Sequence, residues 1–242
     1  DLPKPLAPLC GKPVLEYILD LLSEHGCSRA ALTLMYQGQK IVNHFHGEPY
    51  RGIQLDYVFE EKPLGTAGSV KNAAKAEDDF LVISGDALCD FDLTAAFAFH
   101  RERGAAATLL VKRVKDTREY GLVCADAGGA VTGFLEKPSP MYCASDLANT
   151  GIYILSPEVL ELIPTGRPFD FSMELFPLML EKGMPVFAYR AEGYWCDIGD
   201  IASYISCQKD LLLGNVRCKL PENKIQFDKI ISKYTNSDIK IQ

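Results

Sequence analysis

Between residues 14 and 111 the chain alternates between two hydrophobic periods, and this narrows the possible folds more than any other feature. Leu15, Ile18, Leu19 and Leu22 recur at helical spacing, and Gly26 supplies a stop. Residues 30–35 are short, apolar and strand-like, and residues 37–47 are polar and ambiguous. Leu55, Tyr57 and Phe59 alternate as in a strand. A helix is expected from Gly65 to about residue 76, a buried strand over 80–86, a helix over 93–103 and a strand over 107–111. The first half thus reads β-α-β-α-β-α-β, the pattern of an α/β, Rossmann-like, mostly parallel sheet with helices on both faces.

The second half changes character. Residues 122–125 and 131–136 flank Gly128-Gly129 and read as a hairpin. Strands are expected over 149–155, 186–190 and 194–197, and helices over 157–163 and 171–181. Asp200 is placed to cap a helix reaching residue 213. These pieces suggest a small mixed α+β insertion. The main domain is expected over 1–214, with 215–242 a weakly patterned tail or the start of a further domain. Pro3, Pro5 and Pro8 make the first residues read as extended, kinked, mid-protein sequence.

Composition excludes several classes of function. The 242 residues carry 25 Lys+Arg against 32 Asp+Glu, a net charge of −7, which argues against a nucleic-acid partner. No run of 18 apolar residues occurs, so no membrane partner is expected. The cysteines at 10, 27, 89, 124, 143, 196, 207 and 218 form no Cys-x-x-Cys pair. They read as reduced, mostly buried thiols of a cytoplasmic protein. His44 and His46 have no third ligand nearby and read as surface or partly packed residues.

Ligands of open α/β sheets bind beyond the carboxyl ends of the strands. Three expected strands end in useful chemistry: Gly85-Asp86, Glu136-Lys137-Pro138, and Trp195-Cys196-Asp197 before Ile198-Gly199. Two separated aspartates, a lysine and glycine-rich turns suit a Mg²⁺–phosphate site. A strand-end aspartate is equally suited to capping a helix.

Seven segments in order resemble the sugar nucleotidyltransferase (nucleoside-diphosphate-sugar pyrophosphorylase) family. They are Pro3-Lys-Pro-Leu, Glu60-Glu-Lys-Pro-Leu-Gly-Thr-Ala-Gly68, Ile83-Ser-Gly-Asp86, Tyr120-Gly-Leu-Val, Phe134-Leu-Glu-Lys-Pro138, Asn149-Thr-Gly-Ile-Tyr153 and Trp195-Cys-Asp-Ile-Gly199. Within the family the Pro-Leu-Gly-Thr-Ala-Gly form looks most like bacterial mannose-1-phosphate guanylyltransferases. The resemblance implies the nucleotide-diphospho-sugar transferase fold, with the insertion covering the sugar. It also implies transfer of a nucleotidyl group from a nucleoside triphosphate to a sugar 1-phosphate with release of pyrophosphate. GTP and mannose 1-phosphate are the specific expectation, and a homodimer is a generic one. Family members open with a strand and a Gly-x-Gly-Thr-Arg loop that would fall before residue 1.

Carried over residue by residue, the resemblance has Asp86 and Asp197 hold Mg²⁺, Lys137 the sugar phosphate and Lys4 the triphosphate. Glu136, Asn149 and Thr150 would bind the sugar beside Gly121, where backbone approaches it. Gly65, Thr66 and Gly85 would line the nucleotide slot. Glu60 would read the base. A carboxylate only accepts hydrogen bonds, and guanine offers two adjacent donors, N1–H and the N2 amino group. Neighbouring Glu61 is the alternative reader, since adjacent strand residues face opposite sides. Within the enzyme class, uridylyl or thymidylyl transfer to glucose 1-phosphate is the alternative. Two other functions compete: a non-catalytic nucleotide-sugar sensor, and a glycosyltransferase using Asp90-Phe91-Asp92 as an Asp-x-Asp motif, against which Asp92 is better placed to cap the helix from Leu93.

Overall fold

A computed structural model of the chain describes residues 2–136 and 145–221. Lys4–Leu6 form a single 3₁₀ turn rather than extended chain, with Pro5 in the first turn, where a fixed φ and a missing N–H cost nothing. Strands β1 (Pro8–Leu9) and β2 (Lys12–Pro13) pair as a tight hairpin. Its turn residues Cys10 and Gly11 both have positive φ, as the twist of such a turn requires. Helix α1 (Val14–Glu24) buries Leu15, Ile18, Leu19 and Leu22, the periodic set. β3 (Arg29–Leu34) and β4 (Gln54–Phe59) pair in parallel across α2 (Gly38–Phe45). α2 occupies the ambiguous stretch and buries Ile41 and Phe45.

α3 (Gly65–Ala73), β5 (Phe80–Val82), β6 (Ala87–Cys89), α4 (Leu93–Arg103) and β7 (Ala107–Arg113) follow. The strand expected over 80–86 stops at Val82, leaving 83–86 as an open strand-end loop. β8 (Gly121–Ala125) and β9 (Val131–Glu136) form the hairpin, and β10 (Leu147–Leu155) returns through the sheet. A 3₁₀ segment spans Pro157–Leu162. The helix expected over 171–181 starts as a π-helical turn, Phe171–Leu175, and continues as α5 (Phe176–Glu181). β11 (Val186–Arg190), β12 (Trp195–Asp197) and α6 (Ile201–Leu212) complete the described elements, with Asp200 capping α6.

The α/β architecture expected is present. The main sheet runs β11-β7-β10-β8-β9, with β5 also paired to β10. Its strands are mixed in direction: β7–β11 is parallel, whereas β10 is antiparallel to β5, β7 and β8. Among the described residues β3 pairs only with β4, and β5 only with β10. Both faces of the sheet are buried. Leu110, Ile152 and Ile154 enter one core with α1, whereas Leu109, Val111, Tyr153 and Leu155 enter another with α5. The described cysteines are free; Cys10, Cys89 and Cys207 are buried and four are half-buried, so burial is less general than expected. Cys143 lies outside the described residues.

Asp90 ties three distant segments. Its side chain is 4% exposed. It accepts hydrogen bonds from the main-chain N–H of Tyr194 (2.6 Å) and of Arg217 (2.8 Å). Its own N–H donates to the Tyr194 carbonyl. A Cβ on Gly193 would stand 2.2 Å from its Oδ1, so the carboxylate needs glycine there. Val216 is buried beside this junction, so packing of the domain continues past residue 214. Asp92 caps α4 through the N–H of Ala95. Asp92 thus caps the helix as expected, and the competing Asp-x-Asp reading fails, because Asp90 is consumed by the fold and Asp92 by a helix end. No described helix is long and apolar enough to cross a membrane.

Two outcomes follow from these buried polar groups. Asp90→Ala strands two amides and should cost about 2–4 kcal/mol in denaturant unfolding; a loss below about 0.5 kcal/mol would contradict the network. His100 is 1% exposed and bonded to Thr108, and burial lowers its pKa. The folded state therefore binds its proton less readily than the unfolded chain. This contribution to stability is complete above about pH 6.5, the unfolded value, and is lost as pH falls toward the depressed folded value. His100→Gln should flatten the pH dependence of unfolding free energy below about pH 6.5; an unchanged slope would contradict it.

Candidate functional site

The β6–β12 ladder is only three residues long, yet it sets the centre of the site. It places Asp197 opposite Ala87, the residue after Asp86, and the Ile198 N–H donates to the Asp86 carbonyl. Lys4 reaches in from the 3₁₀ turn. Its Nζ lies 2.6 Å from Asp86 Oδ2 and 3.9 Å from Asp197 Oδ1. The Ser84 hydroxyl donates to Asp86 Oδ1 at 2.5 Å. The Asp197 pKa is raised, chiefly by burial and next by the like charge of Asp86, with Lys4 opposing. All three charged groups remain open to solvent, with side chains 29–48% exposed. Two carboxylates thus converge on one cation.

A cavity of about 230 Å³ lies beside this centre, lined by Gly121, Glu136, Asn149, Ser172 and Met173 among others. Gly121 and Glu136 face each other across β8 and β9, and a Cβ on Gly121 would stand 3.0 Å from Glu136 Oε2. Continuing the β5–β10 register beyond Tyr153–Val82 brings Ser84 against Gly151, where a Cβ would find Ser84 Cβ at 3.6 Å. The loop holding Asp86 therefore runs alongside Asn149–Gly151. The Tyr120 ring meets Trp195 at 5.3 Å, linking the Gly121 edge of the cavity to the strand that carries Asp197. Thr150 is placed differently from the expectation. It is buried, and its hydroxyl donates to the Leu110 carbonyl at 2.6 Å.

The expected nucleotide residues do not share one lining. Glu60 lines a second cavity of about 450 Å³ with Phe59, Glu61, Lys62, Gly68 and Lys71. Its Oε1 is buried with no hydrogen-bond partner among the described residues, whereas Glu61 is exposed. Gly65 and Thr66 are turned to another task. Gly65 has φ +71°, and a Cβ there would stand 2.7 Å from the Phe169 carbonyl oxygen. Thr66 donates to Asp170 Oδ2 at 2.7 Å. The Ala67 and Gly68 amides both donate to that Phe169 oxygen, so the start of α3 already has its acceptor. At Gly85 a Cβ would meet only Pro5, at 3.7 Å, so this chain's own packing does not demand glycine there. Lys137 lies outside the described residues. Ser84, Asp170 and Ser172 were missed by sequence reasoning; only the Asp170-x-Ser172 spacing of a helix cap hinted at the last two.

The chain is similar to known proteins. The family model described as nucleotidyl transferase matches residues 1–213. The chain is 36% identical over 231 residues to UTP–glucose-1-phosphate uridylyltransferase of Synechocystis, covering 89% of this chain and 60% of that protein. It is 34% identical over 215 residues to mannose-1-phosphate guanylyltransferase of Mycobacterium tuberculosis, covering 88% and 59%. It thus spans about three-fifths of the length of these curated relatives. The crystal structure of HddC from Yersinia pseudotuberculosis complexed with GMP-PN superposes with a TM-score of 0.72 at 28% identity, covering 87% of this chain and 91% of that one. By a match running through both strand-end aspartates, the chain belongs to the nucleotidyl transferase family.

Proposed function

We propose that the chain transfers a nucleotidyl group from a nucleoside triphosphate to a sugar 1-phosphate, releasing pyrophosphate, with GTP and mannose 1-phosphate as the pair the site fits best. The observation that carries this reading is the convergence of Lys4, Asp86 and Asp197 beside the cavity of Gly121, Glu136 and Asn149. In this reaction a sugar-phosphate oxygen attacks the α-phosphorus, the new P–O bond forms there, and the bond to the pyrophosphate oxygen breaks. Both reactants are anions. The work of the chain is to hold two mutually repelling groups in line and to neutralise charge as it moves.

Lys4 supplies a compact, mobile positive charge for the triphosphate. Glu136 and Asn149 take sugar hydroxyls, and the bare Gly121 backbone leaves them room. Lys137, next to Glu136 in sequence, is the proposed ligand of the sugar phosphate. Thr150 is left out, because its hydroxyl is committed to the sheet. The donor set at Asp86 and Asp197 fits Mg²⁺, a hard cation that takes carboxylate oxygens and phosphate together. Bound by these two residues, Mg²⁺ would offset negative charge on the α-phosphate.

The choice of base rests on Glu60. A buried carboxylate oxygen without a donor costs free energy until a ligand supplies one. Guanine supplies two adjacent donors, whereas uracil supplies one between two carbonyls. Relatives carrying the uridylyl and the guanylyl names lie at comparable identity, so overall similarity does not choose the base and the proposed preference rests on Glu60.

Asp197→Asn should lower turnover about 10²–10³-fold while nucleotide affinity changes little; near-normal turnover would remove Asp197 from the reacting centre. Glu60→Gln should weaken the preference for GTP over UTP by about tenfold or more. An unchanged preference would take Glu60 out of base recognition.

A further inference from the structure

One wall of the sugar cavity is the π-helical turn Phe171–Leu175, which contributes Ser172 and Met173. We propose that Ser172 reads a hydroxyl of the sugar together with Asn149, and that Asp170 and Thr66 are the positioning residues that hold it there. The inference rests on the sugar-binding role proposed for this cavity.

The hydrogen bonds fix the orientation of each group. Asn149 Nδ2 donates to Ser172 Oγ at 3.0 Å, and Asn149 Oδ1 accepts the Gly151 N–H at 3.2 Å. The amide is thereby pinned, with its nitrogen toward the cavity wall. Ser172 Oγ acts as acceptor in that contact and shares a second hydrogen bond with the Tyr153 phenol, which leaves one of its three hydrogen-bonding positions for a sugar hydroxyl. The buried Tyr153 phenol is hydrogen-bonded to both Asn149 and Ser172, and burial pushes its pKa up to about 12, so it stays neutral. A neutral, half-buried hydroxyl beside a pinned amide is suited to an uncharged sugar oxygen.

The turn itself is held from outside the cavity. Asp170 Oδ1 accepts the N–H groups of Ser172 (2.8 Å) and Met173 (2.9 Å). Its Oδ2 accepts the Thr66 hydroxyl at 2.7 Å, and Thr66 Oγ1 accepts the Phe171 N–H at 3.0 Å. The Leu175 N–H reaches back to the Asp170 carbonyl at 2.9 Å, the wide span of a π turn. Glu174 braces the entry, bonding the Asp170 N–H and Arg167. The start of α3 and the sugar wall are therefore one hydrogen-bonded unit. Thr66 acts on the sugar side through Asp170 rather than by touching the nucleotide.

Calorimetric titration of the protein with GDP-mannose and GDP, and with UDP-glucose and UDP, tests this without turnover. For whichever nucleotide sugar the wild type binds, Ser172→Ala should weaken affinity about 5–10-fold and leave the matching nucleoside diphosphate unchanged. Ser172→Thr should restore most of the loss, and Thr66→Val should show the same one-sided loss. An equal loss on both ligands, or none on either, would overturn the inference while leaving the proposed function standing. Failure of the wild type to bind either nucleotide sugar would overturn the proposed function, and this inference with it.

Discussion

Two carboxylates that repel one another, Asp86 and Asp197, are held together, and the neighbouring strands and Lys4 keep them there. Asp86 ends the loop after β5, and Asp197 ends β12, more than a hundred residues later. Their neighbourhood is enforced by a ladder of three residue pairs. So short a ladder is weak by itself, and Asp90 reinforces it by exchanging hydrogen bonds with Tyr194, just before β12. Lys4 offsets the repulsion from a third direction. One buried carboxylate, Asp90, thus supports the position of two that remain open to solvent.

The sheet then divides the labour. The ends of β4 and the start of α3 carry Glu60 and the Gly65–Gly68 turn, whereas the β8–β9 hairpin and β10 carry Gly121, Glu136 and Asn149. The acidic pair lies where β5 and β10 run side by side, near the cavity of Gly121, Glu136 and Asn149. The two sides are not independent, because Thr66 and Asp170 bind the α3 turn to the wall of that cavity. A reaction that joins two anions benefits from such a frame, since alignment is most of what a protein can supply to phosphoryl chemistry.

Much of this was legible in the residues. Strand-end aspartates followed by turns pointed to Asp86 and Asp197, and helical spacing located α1. α2 stayed hidden because only Ile41 and Phe45 give it a buried apolar stripe in a polar stretch. The strand over 80–86 was drawn too long, because apolar Ile83 continues a run that the backbone leaves at Val82. Glycine at 65 was expected to make room for a base, yet what it admits is the Phe169 backbone, a contact about a hundred residues away that no local pattern encodes. Asp90 shows the same blindness. As letters it was half of an Asp-x-Asp motif; its burial against Tyr194 and Arg217 is a property of the folded chain alone.

The central claim is that this site joins a nucleotide to a sugar phosphate, and it is tested most directly by pyrophosphate release. The protein, with Mg²⁺, would be given each of the four common nucleoside triphosphates with mannose 1-phosphate or glucose 1-phosphate. Release that requires both substrates and is fastest with GTP and mannose 1-phosphate is the predicted result. Release with UTP and glucose 1-phosphate instead would contradict the guanine assignment. Absence of sugar-dependent release with every pair would contradict the account as a whole.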